Sequence, residues 1–179
     1  MVQDTSISVH LATRADLVHA KEIHQLVNLA FRSEEGWMKD LHVTGGERLT
    51  VEGVEKVILD EKSPLYIAVD ASQDGLAVGT VQIQPNPEEA EEAEIGLLAV
   101  HPKAQSRGIG YKLFLKALEE MPKLGYKKAV LHVLSNRPDL LLWYQSKFGF
   151  QLTDETSPYP HPEMLKDKSI HFLVVKKDV

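Results

Sequence analysis

Along the chain the spacing of apolar residues switches repeatedly between periods of about 2 and about 3.6, which predicts strands and helices in alternation. ISVHLA at 7–12 reads as an opening strand. Thr13, with Asp16 three residues on, makes a capping-box pattern ahead of a helix that carries Leu17, Ala20, Ile23, Val27 and Ala30 on one face. That helix fades near Arg32 to Gly36, and the stretch 33–49 carries no clear period. A second helix is expected from Thr50 to Asp60, where Val51, Val54, Val57 and Ile58 recur at helical spacing until Ser63 and Pro64 stop it.

LYIAVD at 65–70 and LAVGTVQIQ at 76–84 predict a hairpin turned at Ser72 to Gly75, and AEIGLLAV at 93–100 a third strand after an acidic turn. GIGYKLFLKALEEM at 108–121 carries a broad apolar stripe and is the clearest helix. KKAVLHVL at 127–134 reads as a buried strand, PDLLLWYQSKF at 138–148 as a short helix with proline in its first turn, and SIHFLVVKK at 169–177 as the closing strand. Strand, helix, strand across 93–134 makes a right-handed crossover with parallel strands. No repeat or linker divides the chain, so residues 1–179 are expected to form one α/β domain.

Composition narrows the chemistry. None of the 179 residues is cysteine, so the chain itself supplies no thiol nucleophile, no Cys-ligated zinc and no redox pair. A net charge of −6 argues against nucleic-acid binding by the whole chain. The charge is uneven: residues 1–100 hold 7 Lys/Arg against 18 Asp/Glu, and residues 101–179 hold 13 against 8. An anionic ligand is therefore expected on the second half and a cationic one near the first. No run approaches the roughly 18 apolar residues of a membrane span, and a soluble, cytoplasmic protein without a membrane partner is expected.

The informative segment is Gln105-Ser106-Arg107-Gly108-Ile109-Gly110, between a strand and the clearest helix. Glycines let backbone approach a ligand, and the first amides of a helix have no partners of their own, so they offer donors and a positive dipole end to an anion. A dinucleotide fingerprint needs a third glycine where Leu113 stands, and the Gly-Lys-Ser/Thr of a Walker loop is absent. The remaining pattern, Gln/Arg-x-x-Gly-x-Gly/Ala, resembles the acetyl-CoA diphosphate loop of the GNAT N-acetyltransferase superfamily. The context agrees: a strand and His101-Pro102 precede the loop, a long helix follows it, and the Trp143-Tyr144 helix ends at Gly149-Phe150.

That resemblance covers 65–152 most clearly and implies a central, mostly antiparallel mixed sheet with helices on both faces and one parallel strand pair that splays. Acetyl-CoA would be the cosubstrate, with no metal. Its pantetheine arm would lie in the splay beside Leu98, Ala99 and Val100, its diphosphate on the amides of Gln105, Ser106, Arg107, Gly108, Ile109 and Gly110. Lys103, Arg107 and Lys112 flank that loop, and at least one is expected to meet phosphate. Asn136 is expected either to bond the arm or to make a turn.

An amine arrives as an ammonium of pKa about 10 and attacks a thioester only after losing a proton, so the resemblance implies a general base. Glu94, fourteen positions before the first loop glycine, matches the base of the histone-acetylating branch. Tyr144 is the corresponding acid for the CoA thiolate, although it stands five residues before Gly149 where the family usually has four. The glutamates at 88, 89, 91, 92 and 94 would form a negative rim that steers a cationic acceptor, or simply a solvated hairpin tip. Arg32, Glu34 and Trp37 lie where the superfamily's first helices line the acceptor pocket. His101 and His132 are read as structural, and the scattered histidines show no metal-ligand spacing. The expected reaction is direct acetyl transfer to a small amine, in a monomer or homodimer. A peptide amine, or a CoA-binding module without catalysis, is the alternative.

Overall fold

The computed structural model describes residues 5–32 and 47–179. Among these, seven strands form one sheet in the order β1-β2-β3-β4-β5-β7-β6. They are β1 Ile7–Leu11, β2 Leu65–Asp70, β3 Leu76–Pro85, β4 Glu92–Val100, β5 Lys128–Leu134, β6 Gln151–Pro158 and β7 His171–Asp178. Every neighbouring pair is antiparallel except β4 and β5. The helices are α1 Ala20–Arg32, α2 Val51–Leu59, α3 Ile109–Glu120 and α4 Pro138–Phe148.

The capping box at Thr13 forms: its amide donates to Asp16 Oδ2 at 2.8 Å and its hydroxyl accepts from the Ala15 amide. The turn it opens, Arg14–His19, is wound as a 3₁₀ helix before α1 begins. Thr50 caps α2 by accepting from the Gly53 amide at 3.0 Å, and Gly149 ends α4 at φ +74°. The hairpin between β2 and β3 turns through Asp74 and Gly75, both left-handed.

Helices cover both faces. On one, α1 and α2 bury Ile23, Leu26, Val27, Val54 and Ile58 against Leu65 and Ile67. On the other, Leu113, Phe114 and Ala117 of α3 and Leu140, Tyr144 and Phe148 of α4 pack against Val78, Val81, Ile95, Leu131 and Val133. A smaller cluster of Leu134, Tyr159, Leu165 and Ile170, with Phe172 against it, lies where the β6–β7 loop folds back on β5 and β7. The sequence pattern does not show β6, because its residues are mostly exposed and carry no alternation. Hydrogen bonding to β7 makes it an edge strand.

The sheet opens at its only parallel pair. β4 and β5 are paired from Glu92 and Lys128 through Glu94 and Val130, and no further. Just beyond, two steps on β3 from Thr80 to Gln82 face three on β4 from Ala99 to Gly96, a bulge with Leu97 left-handed at φ +47°. The buried Thr80 hydroxyl donates to the Leu97 carbonyl at 2.8 Å and holds this bend. The extra residue turns β4 away from β5, so the gap below is fixed by backbone geometry.

Candidate functional site

Two adjoining cavities occupy the gap, with Leu98 in the wall of both. The smaller, about 300 Å³, is lined by Val100, Gln105, Ser106, Gly108, Ile109 and Gly110, with Ala30, Tyr111 and Trp143 completing it. Within the loop Ser106 (φ +64°) and Gly108 (φ +75°) are both left-handed, which curls the backbone around the space in front of α3. No side chain caps α3, so its first amides have no side-chain acceptor. Such a concave row of donors suits a diphosphate, and the apolar walls beside it suit the methylene-rich arm of a thioester carrier.

The expected cofactor residues are therefore mostly brought together, and three lie apart from the cavities in whole or in their side chains. Ala99 pairs with Thr80 on the β3 side and is buried among the α1 residues, outside the lining of either cavity. Asn136 is exposed in the turn before α4 and lines neither cavity. The guanidinium of Arg107 turns away from the loop: Nη1 donates to buried Asp70 at 2.6 Å and Nη2 to Ser6 Oγ at 3.1 Å. Lys112 likewise donates to the Ile7 carbonyl. These cations tie the loop and α3 to the sheet edge at β1 and β2, which leaves Lys103 as the exposed lysine of the three expected phosphate contacts. Arg107, with help from Ser72 and Gln73, holds the Asp70 carboxyl well below the usual carboxylate range despite its burial.

The larger cavity, about 400 Å³, is walled by residues from both faces of the sheet. Ile95 points into the α3–α4 core, so Glu94 beside it faces the other side, and His132 on β5 alternates likewise with Leu131 and Val133. There the His132 Nδ1 lies 3.1 Å from Glu94 Oε1, with side chains 29% and 36% exposed, so both are reachable from the cavity. The Glu94 hydrogen bond raises the His132 pKa above its ordinary value, against the opposing effect of burial. Tyr144 enters the same cavity from α4, across the gap. Its ring packs 5.2 Å from Phe114 and 5.0 Å from Trp143, and burial pushes the phenol pKa up, with Arg137 opposing.

Sequence reasoning read His132 as structural; the structure makes it the partner of Glu94 and a wall of the cavity. A trace was present, since His132 is a polar residue in the middle of an apolar run, between Leu131 and Val133. His101 does act structurally, its Nδ1 accepting from the Lys103 amide at 3.2 Å. Phe31 and Arg48, with the guanidinium 5.1 Å above the ring, and Tyr159, Pro160 and His161 of the β6–β7 loop complete the wall and were not foreseen. Arg32 ends α1 outside the lining of both cavities, and Glu34 and Trp37 lie outside the described residues.

Three of the five glutamates of the acidic hairpin have basic partners. Glu91 pairs with Lys127, buried Glu92 with Lys176 at 3.1 Å, and Glu94 with His132, and of the five only Glu94 lines the cavity. Among the described residues no group of three or more His, Cys, Asp or Glu side chains is placed to hold a metal ion. None of their helices is long and apolar enough to cross a membrane.

The sequence profile of the acetyltransferase (GNAT) family matches residues 22–150. No curated protein gives a significant match. Among solved structures, a GNAT family acetyltransferase from Elizabethkingia anophelis with acetyl-CoA bound superposes with a TM-score of 0.66 at 20% identity, over 98% of this chain and 100% of that one. The yncA structure from Salmonella typhimurium with its cofactor acetyl-CoA gives 0.70 at 15% identity, over 97% and 94%. The ribosomal-protein-S18-alanine N-acetyltransferase of Escherichia coli gives 0.65 at 16% identity, over 97% and 94%. At these identities the likeness is one of fold.

Proposed function

The chain belongs to the acetyltransferase (GNAT) family, and on that premise we propose that it transfers the acetyl group of acetyl-CoA to a primary amine by direct attack in a ternary complex. The observation that carries this reading is the break between β4 and β5, with a donor-lined cavity on one side and the Glu94 carboxylate on the other. The backbone of Ser106 to Gly110 grips the diphosphate, and the amides of Leu98 and Val100 pair with the pantetheine arm as a further strand would. Acetyl-CoA supplies the activated acyl group. Glu94 takes a proton from the incoming ammonium, and the Tyr144 phenol, kept neutral by burial, donates one to the departing sulfur. The absence of cysteine fits attack by the amine itself rather than by a protein thiol.

Two measurements test this. Acetyl-CoA at a hundredfold excess over its dissociation constant should stabilise the protein by about 2.7 kcal/mol, a rise in melting temperature of about 5–10 °C. Thiol release should then follow with at least one member of a panel of polyamines, amino acids, aminoglycosides and lysine or N-terminal peptides, against no protein-thiol background. A melting curve unmoved by millimolar acetyl-CoA overturns the assignment. Binding without turnover on any amine leaves a cofactor-sensing module instead.

A further inference from the structure

An ammonium sheds two protons on becoming an amide; one ends on the CoA sulfur, and the other must leave the site. The carboxylate that takes this proton must pass it on before the next cycle. The structure offers a place for that proton to go. His132 Nδ1 stands 3.1 Å from Glu94 Oε1 on the strand across the gap, and its ring lies edge-on to Phe172 at 5.8 Å. Both side chains face the 400 Å³ cavity and retain partial exposure.

We infer that Glu94 and His132 work as a relay, Glu94 taking the proton from the amine and His132 receiving it at Nδ1 and releasing one from Nε2 to solvent. The inference rests on the proposed acetyl transfer and adds to Glu94 and Tyr144 a group that acts through Glu94. In the step an N–H bond of the ammonium breaks as a carboxyl O–H forms. That O–H then breaks as the Nδ1–H forms, and the imidazolium loses its Nε2 proton to water. The carboxylate ends as it began, the imidazole ends as the Nδ1–H tautomer and exchanges that proton with solvent to free Nδ1 for the next cycle, and no oxidant or further reactant is needed.

The charged groups around His132 favour this direction. Glu94 on β4 and Glu155 on β6 hold its pKa up, while Lys176 on β7 opposes them. Lys176 is itself engaged by Glu92 and Glu155 at 3.1 and 3.0 Å, which weakens its repulsion. Tyr159 and His161 of the β6–β7 loop and Tyr144 of α4 line the same cavity. A receiver whose pKa lies above 6.5 matches a reaction run near neutrality better than a lone carboxylate does.

The test has two arms on the full chain. In the first, histidine side-chain NMR follows each imidazole against pH, with the His132 resonance assigned by its loss in His132→Gln. The wild-type midpoint should lie above 6.5 and fall in Glu94→Gln, because the carboxylate that raises it is gone. An unmoved midpoint overturns the pair whether or not the protein turns over. In the second, kcat/KM is measured against pH with the best amine of the panel. The wild-type acidic limb should coincide with the NMR midpoint, and His132→Gln should lower turnover about a hundredfold and abolish that limb, with acetyl-CoA affinity unchanged. Turnover with a limb untouched in His132→Gln overturns the relay alone. Absence of turnover by the wild-type protein strikes the acetyl-transfer reading itself and the relay with it.

Discussion

At the proposed cofactor end the cavity is lined chiefly by the backbone of one short run, Gln105 to Gly110, with Leu98 and Val100 of β4 beside it; at the proposed acceptor end the lining comes from side chains on β4, β5, α4 and the β6–β7 loop. The first end is built by local conformation: two left-handed residues and an uncapped helix front make donors converge whatever most of the side chains are. The second is built by tertiary placement, since Glu94 and Tyr144 come from opposite faces of the sheet and line one cavity where β4 and β5 part. One end can therefore be injured by moving backbone, the other by changing single side chains. Substitutions that act on one end and spare the other are the sharpest tests of this division.

The largest effect is expected at Gly79 on β3, under the start of α3. A Cβ there would meet Leu113 Cδ1 at 2.8 Å, the Ala99 carbonyl at 3.1 Å and Ile109 Cγ2 at 3.2 Å. The glycine thus lets the helix that carries the loop lie close on the sheet. Gly79→Val should cost about 3 kcal/mol of stability and push the front of α3 outward. Denaturant unfolding should show the loss, and calorimetry a weakened acetyl-CoA affinity. The His132 midpoint at the other end should stay where it was. An intact affinity in a folded Gly79→Val protein would mean the loop does not depend on this packing.

Next comes the tether between Arg107 and Asp70. Asp70→Asn removes the charge that orients Arg107 and should raise the acetyl-CoA dissociation constant about tenfold, the worth of one charge-assisted hydrogen bond, while kcat at saturating cofactor holds. Arg107→Lys, which keeps the charge, should recover part of the affinity that Arg107→Ala loses. Because the folded Asp70 carboxyl titrates well below an unfolded one, the stability it adds is complete above about pH 4 and is lost as pH falls toward its folded value. The stability of Asp70→Asn should accordingly fall less than wild type below about pH 4 in denaturant titrations. Identical acid profiles would remove Asp70 from the account.

The same division decides what could be read before the structure. Strands β2, β3, β4, β5 and β7, with the four helices, carry apolar periods that burial imposes, and the predicted boundaries fall within a few residues of the observed ones, except that 3₁₀ winding from Arg14 to His19 delays the start of α1. The shape of the Gln105–Gly110 loop was legible because glycine spacing and position before a helix are properties of consecutive residues. What stayed hidden has no local period. β6 exists because β7 offers it hydrogen bonds, the Leu97 bulge exists because Thr80 and the β3 register impose it, and Arg48 and His161 reach the cavity from loops. Arg107 was legible as a cation beside the loop, but its partner Asp70 lies 37 residues away and only the fold reveals it.

The smallest and most discriminating change is Tyr144→Phe. Its five-residue spacing to Gly149 is one longer than the family pattern, yet α4 runs on to Phe148 before Gly149 closes it, and Tyr144 still lines the cavity that holds Glu94. The ring is a core group, wedged among Phe114, Trp143 and Phe150, so packing alone would explain it. Phenylalanine keeps that packing and removes only the hydroxyl. If the hydroxyl serves as the acid, turnover should fall about tenfold while stability changes by less than about 1 kcal/mol and acetyl-CoA affinity is untouched. Burial keeps the phenol protonated through the alkaline range, so the wild-type rate should show no loss from this group below about pH 10. Turnover unchanged in Tyr144→Phe would assign the residue to the core, and the proton for the sulfur would then have to come from water.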